Sequence, residues 1–326
     1  KYVFLPHLSD DLKLDLESYK INYIQGTANE FFEYLGKKAQ NNYKAKLNAL
    51  RRNYSSNEFL RNLDPQTLQY LSECFDVYDL DRLYPSDGKY FYRGGHPDWG
   101  IIKEQFDISR DIKIQKTDKQ EELGTTDSLF LLIQEFLQNN KLQKIKLEGA
   151  AVSGKTTTLY RCAFDLISNG TLSLIFKQQS TYKEGLLYAI YEKIQEPFVI
   201  IIDDVFIDIS ELIKMLNESE NDQLPILFII SCRNSEWANT LSSYNKNVLE
   251  PFDCTISMMD SFSSDEAQKF VDKLISTKII SASTEYEKKG YIRNFQKNNN
   301  IIQILIELID NSELDKSLSN EYDNLC

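Results

Sequence analysis

The stretch KIKLEGAAVSGKTT, at residues 144–157, constrains the fold of this chain more than any other. In it an alternation of apolar residues, Ile145 and Leu147, leads into a turn that begins at Gly149 and ends in Gly154-Lys155-Thr156. The spacing G-x-x-x-x-G-K-T lets successive backbone N–H groups surround a phosphate at the N-terminus of a helix, where the helix dipole also favours an anion. The stretch therefore predicts a strand, a phosphate-binding loop and a helix, in that order.

Each position of the loop predicts a contact with a nucleotide. Lys155 is expected to reach the β- and γ-phosphates, Thr156 to ligate Mg²⁺ and Thr157 to lie at the α-phosphate. The residues predicted to bind the nucleotide are the loop, its threonines and an arginine upstream of it: Gly149, Ala150, Ala151, Val152, Ser153, Gly154, Lys155, Thr156, Thr157 and Arg110. The alternative is a glycine loop that binds no ligand.

An acidic motif follows the loop at residues 198–205, FVIIIDDV. The run 198–202 is apolar on both faces, as a central strand of a parallel sheet must be, and it places Asp203 and Asp204 at its carboxyl end. We expect Asp203 to hold Mg²⁺ together with Thr156, and Asp204 to orient the attacking water. The order of the two motifs is that of a P-loop NTPase.

A polar segment, Ser231-Cys232-Arg233, follows the next apolar run, residues 226–230. Arg233 is predicted to sense a γ-phosphate from the end of this strand, with an ordinary loop arginine as the alternative. The predicted catalytic residues are Lys155, Asp203, Asp204 and Arg233, and the predicted metal ligands are Thr156 and Asp203.

Composition narrows the class of protein. The net charge of −12 argues against general binding to nucleic acid, and no apolar run reaches the length of about 18 residues that a membrane span requires. Five cysteines, an odd number without C-x-x-C spacing, favour a reducing compartment, and we expect a cytoplasmic location. The basic residues within 37–52 predict either a solvated helix face or a phosphate-binding surface.

The pattern along the chain predicts an α/β fold in four parts. The parts are the βα tail of an upstream Rossmann-like domain at 1–40, a helical connector with an aromatic loop at 41–100, a P-loop NTPase domain at 101–258 and a small helical domain at 259–326. The NTPase domain is expected to have a central parallel five-stranded sheet. The aromatic loop, YFYRGGHPDW at 90–99, is expected either to pack on adenine or to join domains.

Taken together, GAAVSGKTT, FVIIIDDV and Ser231-Cys232-Arg233 resemble the STAND class of P-loop NTPases over roughly residues 101–311. The double aspartate and the Ser-x-Arg segment are the specific parts, since related AAA+ ATPases more often have Asp-Glu and an Asn or Thr sensor. The resemblance implies a switch that holds ADP at rest and exchanges it for ATP when a C-terminal sensor meets a trigger protein. It then forms a homo-oligomer and activates an N-terminal effector.

The helical domain departs from this family. The Gly-x-Pro that commonly touches adenine is replaced near residues 298–300 by Asn-Asn-Asn, which puts adenine contact from that side in doubt.

The N-terminal segment carries a second resemblance. The pattern INYIQGTANEFFEYL, at residues 21–35, resembles the closing strand and helix of sirtuin-like NAD-binding domains, with a helix that starts at a Thr27–Glu30 capping box. An ordinary βα unit of any Rossmann-like domain is the alternative. A STAND module after such a tail resembles bacterial antiphage defence proteins, whose effector degrades NAD, and this implies a role in antiviral defence.

The sequence thus predicts a slow, regulatory ATPase that binds ATP or ADP with Mg²⁺. GTP is not expected, because the guanine motif Asn-Lys-x-Asp is absent and Asn245-Lys246-Asn247-Val248 lacks the acid. An AAA+ motor or loader that hydrolyses ATP continuously is the alternative, and a scaffold that does not hydrolyse ATP is a third hypothesis.

Overall fold

The computed structural model forms two compact units, Lys1–Ser55 and Ser56–Cys326. It describes residues 2–5, 22–25, 33, 35–38, 60, 63–79, 82–117, 119–233, 236–237, 248–281, 284–297 and 301–310. In the first unit β1 (Tyr2–Leu5) pairs in parallel with β2 (Asn22–Gln25). The second strand lies within the segment 21–35, where the sequence resembles a closing strand and helix. The capping box predicted at Thr27 lies outside the described residues.

The second unit is built on an eight-stranded sheet. Its strands are β3 (Phe75–Asp76), β4 (Asp111–Lys116), β5 (Glu122–Thr125), β6 (Gln143–Glu148), β7 (Ser173–Phe176), β8 (Phe198–Ile202), β9 (Ile226–Cys232) and β10 (Cys254–Met258). Their order across the sheet is β3-β7-β8-β9-β6-β10-β4-β5. The five strands from β7 to β10 in this order are mutually parallel, so the predicted central parallel five-stranded sheet is confirmed.

Three further strands extend this parallel core. β3 pairs antiparallel with β7 at one edge, and β4 and β5 add antiparallel strands beyond β10. The sequence did not predict them. β3 joins the sheet from the segment 41–100 that was expected to be a connector, while the four-part division itself stays a prediction.

The parallel strands at the centre are buried on both faces. All five residues of β8 and all seven of β9 are buried, which is why these strands are nearly continuous apolar runs rather than alternating ones. Their carboxyl ends meet at one edge of the sheet, where polar residues replace the apolar run. β9 lies between β6 and β8, so the phosphate-loop strand and the Asp203 strand are separated by a third strand that also contributes to the site.

The helices of the second unit include those that the motifs require. They are α1 (Pro65–Cys74), α2 (Gly88–Tyr92), α3 (Trp99–Lys103), α4 (Leu129–Leu137), α5 (Lys155–Ser168), α6 (Leu186–Ile194), α7 (Ile209–Asn221), α8 (Ser264–Ser276) and α9 (Glu285–Lys297). Residues 301–310 are also helical. Ser263 and Glu266 form a capping box at the start of α8. No helix in the described part of the chain is long and apolar enough to cross a bilayer.

The last helices share a core with α2. Phe270 of α8 and Phe295 of α9 meet edge to face at 5.1 Å between ring centroids, and Leu305 and Ile309 are buried in the same cluster. Tyr92 of α2 joins this cluster, with its ring 5.8 Å from that of Phe270. The segment between β3 and β4 and the helices after β10 therefore pack together.

Candidate functional site

The loop between β6 and α5 has the backbone of an anion cradle. Gly154, directly before α5, has φ +95°, a conformation that favours glycine. A Cβ on Gly149 would lie 2.7 Å from Ser153 Oγ, so only glycine fits there. Val152 has φ +65°, which is strained for a β-branched residue. Strain of this kind is typical of ligand-binding loops, where the surrounding structure holds it in place.

Lys155 lies over this loop. Its Nζ donates to the carbonyl oxygens of Gly149 at 3.0 Å and Ala150 at 2.7 Å. Burial lowers the pKa of Lys155, and the neighbouring Asp203 opposes that shift. The ammonium group is therefore held by weak neutral acceptors, which a phosphate can replace with stronger, charge-assisted bonds.

Thr156, Asp203 and Ser231 meet at the mouth of the loop. Thr156 Oγ1 donates to Asp203 Oδ2 at 2.7 Å, and Ser231 Oγ donates to Asp203 Oδ1 at 2.5 Å. The backbone N–H of Asp204 donates in turn to Ser231 Oγ at 2.9 Å. One hydroxyl from α5 and one from the end of β9 thus orient the carboxylate at the end of β8. The two predicted metal ligands, Thr156 and Asp203, are brought together.

Asp204 and Arg233 form the open side of the site. Asp204 has φ +50°, which turns the chain sharply after β8. Burial raises the pKa of Asp204, and Arg233 opposes the shift. Arg233 is half exposed, with Nη2 3.9 Å from Asp204 Oδ2 and Nη1 3.0 Å from Glu236 Oε1. Sequence reasoning missed Glu236, although its position three residues after Arg233 in a helical turn is a signal for such a pair.

Arg110 lies deeper, and each of its guanidinium nitrogens donates within the protein. Nε donates to Glu266 Oε1 at 2.9 Å, Nη1 to the carbonyl oxygen of Ser153 at 2.9 Å and Nη2 to that of Met259 at 3.0 Å. Its guanidinium carbon also lies 4.2 Å from the centre of the Phe262 ring. The arginine thus contacts the phosphate loop through a main-chain carbonyl.

A cavity of about 320 Å³ adjoins the loop. Its polar wall is formed by Thr126, Arg110, Asp107, Arg161 and residues 152–158, and its apolar wall by Phe91, Tyr92, Gly94, Gly95, His96, Pro97, Phe106, Ile108, Phe262, Phe270, Ile301, Ile302 and Leu305. The aromatic segment 90–99 contributes to this wall, but it is a loop only in part, because residues 90–92 belong to α2 and Trp99 begins α3. Asp203, Asp204 and Arg233 do not line the cavity. Thr156 does line it and also donates to Asp203, so this threonine links the polar end of the cavity to the two aspartates after β8.

Sequence reasoning did not predict which residues of the last helix line the cavity. Ile301, Ile302 and Leu305 face the cavity directly after the Asn-rich residues 298–300, which lie outside the described residues. A Cβ on Gly94 would lie 3.1 Å from Ile302 Cδ1, so the aromatic loop and this helix are in close contact. The apolar spacing at 301, 302 and 305 is a signal for one buried helix face, but not for the partner of that face.

Similarities to known proteins extend over the same region. Residues 89–244 match the family described as Novel STAND NTPase 5. Solved structures with similarity include a DNA replication initiation factor, at 16% sequence identity and a TM-score of 0.39, covering 61% of this chain and 66% of that chain. Domain III of the Thermotoga maritima replication initiation protein DnaA is similar at 13% identity and a TM-score of 0.42, covering 59% and 85%.

Drosophila ORC bound to DNA is similar at 9% identity and a TM-score of 0.41, covering 75% of this chain and 66% of that one. No curated protein matches the sequence. The family match includes the loop at 149–157, the two aspartates that follow β8, and Arg233. Over residues 89–244, this chain is therefore similar to the STAND class of P-loop NTPases.

Proposed function

We propose that this chain is a regulatory switch that binds ATP and ADP with Mg²⁺ and hydrolyses ATP slowly. The observation that carries the proposal is the 2.7 Å contact between Thr156 Oγ1 and Asp203 Oδ2 at the mouth of the phosphate loop. It joins the helix that begins in the loop to the end of the buried strand β8, and Ser231 fixes the second oxygen of the same carboxylate. Such a prepositioned pair costs little reorganisation when the ligand binds.

The oxygen atoms of this pair suit Mg²⁺. Hydroxyl and carboxylate oxygens are the ligands that this cation takes in phosphate sites, and it usually keeps several waters. The buried hydroxyl of Ser153 has no hydrogen-bond partner among the described residues, so the loop also keeps an unused polar group beside the cradle. When bound, Mg²⁺ would neutralise charge on the phosphate oxygens. Thr156 and Asp203 would hold it.

The remaining groups have separate roles in this proposal. Lys155 exchanges its carbonyl partners for phosphate oxygens, and the backbone N–H groups at the start of α5 bind the same anion. Asp204 orients the attacking water and accepts its proton, a role that a carboxyl with a raised pKa suits better than an ordinary one. Arg233 contacts the γ-phosphate from the end of β9.

The lining of the cavity supports the proposal that the bound ligand is an adenine nucleotide. Its mainly aromatic and aliphatic lining, with a polar wall at the phosphate loop, is the usual character of a small-ligand site. Asp107 and Arg161 in that wall form an ion pair with each other. The absence of a guanine motif from the sequence favours ATP over GTP.

The wider role proposed is control of an effector. The STAND family match supports a switch, and the resemblance of residues 21–35 to a sirtuin-like tail supports an upstream effector that degrades NAD in antiphage defence. In this scheme a trigger protein acts on a sensor, ATP replaces ADP, and cytoplasmic copies of the protein form a homo-oligomer. The helical segment after β10 closes over the nucleotide.

Binding measurements with Lys155→Ala test this proposal. Loss of a contact shared by the β- and γ-phosphates should weaken both ATP and ADP at least about tenfold, the size of one charge-assisted contact. Titration calorimetry with ATP, ADP and GTP in Mg²⁺ provides the measurement. Lys193→Ala is a matched control, since Lys193 is an exposed lysine on α6 paired only with its neighbour Glu192 among the ion pairs described.

Two outcomes would contradict the proposal. One is adenine nucleotides that bind no more tightly than GTP, and the other is an unchanged affinity in Lys155→Ala. Turnover measured on the same wild-type sample should be slow, with nucleotide retained between cycles. Rapid turnover stimulated by a client would instead support a motor or loader.

A further inference from the structure

Arg233 is held by a carboxylate that no sequence motif assigns. Its Nη1 lies 3.0 Å from Glu236 Oε1, while its contact with Asp204 is longer, at 3.9 Å. The side chain of Glu236 is partly exposed, at 35%. Glu236 is therefore the nearer anionic partner of the residue placed to read a γ-phosphate.

The backbone of Glu236 is fixed by hydrogen bonds to Arg233 and by the packing of Trp237. The N–H groups of Glu236 and Trp237 both donate to the carbonyl oxygen of Arg233, at 3.1 and 3.2 Å, which closes a helical turn after β9. The Trp237 ring is buried and packs 5.2 Å from the ring of Phe252. The turn thus keeps the Glu236 carboxylate within reach of Arg233 and makes their contact more than a chance surface pair.

We infer that Glu236 is a specificity-determining residue, whose carboxylate occupies Arg233 in the absence of a γ-phosphate and so biases the site towards ADP. The inference rests on the proposed function. A guanidinium has five N–H donors in one plane, and Glu236 occupies its Nη1 end, for which phosphate oxygens compete with similar geometry. ATP therefore competes with Glu236 for Arg233, whereas ADP leaves the pair intact.

The charges around Arg233 increase this competition. Lys155 and Arg233 are the cations that act on Asp204, and Asp203 and Glu236 are the carboxylates that do. Glu236 is the carboxylate nearest to Arg233, at 3.0 Å against 3.9 Å for Asp204. Neutralising Glu236 should weaken its hold on the guanidinium, and so should favour ATP and change ADP affinity little.

Glu236→Gln tests the inference, since it keeps the shape and one acceptor oxygen but removes the charge. We expect a slowly hydrolysed ATP analogue with Mg²⁺ to bind about twofold to fivefold more tightly, the range for loss of an exposed competing ion pair. ADP affinity should stay unchanged. Glu135→Gln is the control, because Glu135 forms an exposed pair with Lys116 and does not line the cavity.

A double-mutant cycle with Arg233→Ala identifies the cause. If the pair carries the effect, Glu236→Gln should leave the ratio of ATP to ADP affinity unchanged in the Arg233→Ala background. The same gain in both backgrounds would overturn the inference in favour of direct repulsion between Glu236 and the phosphate. An unchanged ratio in Glu236→Gln alone would also overturn it while the proposed function stands, whereas a wild-type chain that binds no nucleotide would overturn both.

Discussion

Two arginines of the candidate site, Arg110 and Arg233, are held in opposite ways. Arg110 is 5% exposed and each of its guanidinium nitrogens donates to a different segment of the protein. The side chain of Arg233 is 47% exposed and lies between two carboxylates, neither of which holds it in a buried setting. An arginine whose three guanidinium nitrogens all donate within the interior holds the segments around it in place, while one held by exposed carboxylates can change partners. The sequence alone predicted nucleotide contacts for both.

The network around Arg110 joins three segments. Glu266 Oε1 accepts from Arg110 Nε and, at 2.6 Å, from the backbone N–H of Asp111, while its Oε2 accepts from the N–H of Ser263. The same carboxylate thus caps α8 and ties it to β4, and the arginine adds the carbonyl oxygen of Ser153. We propose that Arg110 positions the phosphate loop against the helical segment and does not bind the nucleotide directly.

Substitution of Arg110 should give the largest loss of stability. Arg110→Met leaves the Glu266 carboxylate buried without its cation, which typically costs about 3–5 kcal/mol of unfolding free energy. Denaturant unfolding provides the measurement. Lys113→Met removes an exposed pair between Lys113 of β4 and Glu121, and should cost no more than about 1 kcal/mol of unfolding free energy. Equal costs for the two variants would show that the buried network does not stabilise the fold.

Substitution of Arg233 should have the smallest effect on stability. Arg233→Met removes an exposed pair with Glu236 and a long contact with Asp204, so we expect a cost of about 0–1 kcal/mol in the same unfolding experiment. A cost near that of Arg110→Met would mean that Arg233 supports the fold, and the contrast between the two sides of the loop would be lost.

The parts of this molecule that sequence predicted are those whose signals are local. The loop at 149–157 and the acids after β8 each lie in one short stretch, where an apolar run ends in polar residues that a parallel sheet must place at its carboxyl edge. The central strands followed from the same runs. β4 was missed although Ile112 and Ile114 alternate with polar residues, because a short alternation of this kind is a weaker signal than a continuous apolar run and also occurs in many loops.

The parts that sequence did not predict depend on distant partners. Arg110 and Glu266 are 156 residues apart, and nothing near either residue indicates the other. The contact of Ile302 with the turn at Gly94 likewise requires two segments from opposite ends of the second unit. A short pattern specifies the chemistry of a residue, but whether an arginine is already satisfied is decided by packing.

The ratio of ADP to ATP affinity in Arg233→Ala tests the account most directly. Since Arg233 would contact only the γ-phosphate, its loss should weaken a slowly hydrolysed ATP analogue about tenfold and leave ADP affinity nearly unchanged, as expected for one charge-assisted contact offset by the lost pair with Glu236. Titration calorimetry of both nucleotides with Mg²⁺ gives this ratio. An equal loss of both nucleotides would contradict the account and would mean that Arg233 is structural and that the γ-phosphate is read elsewhere.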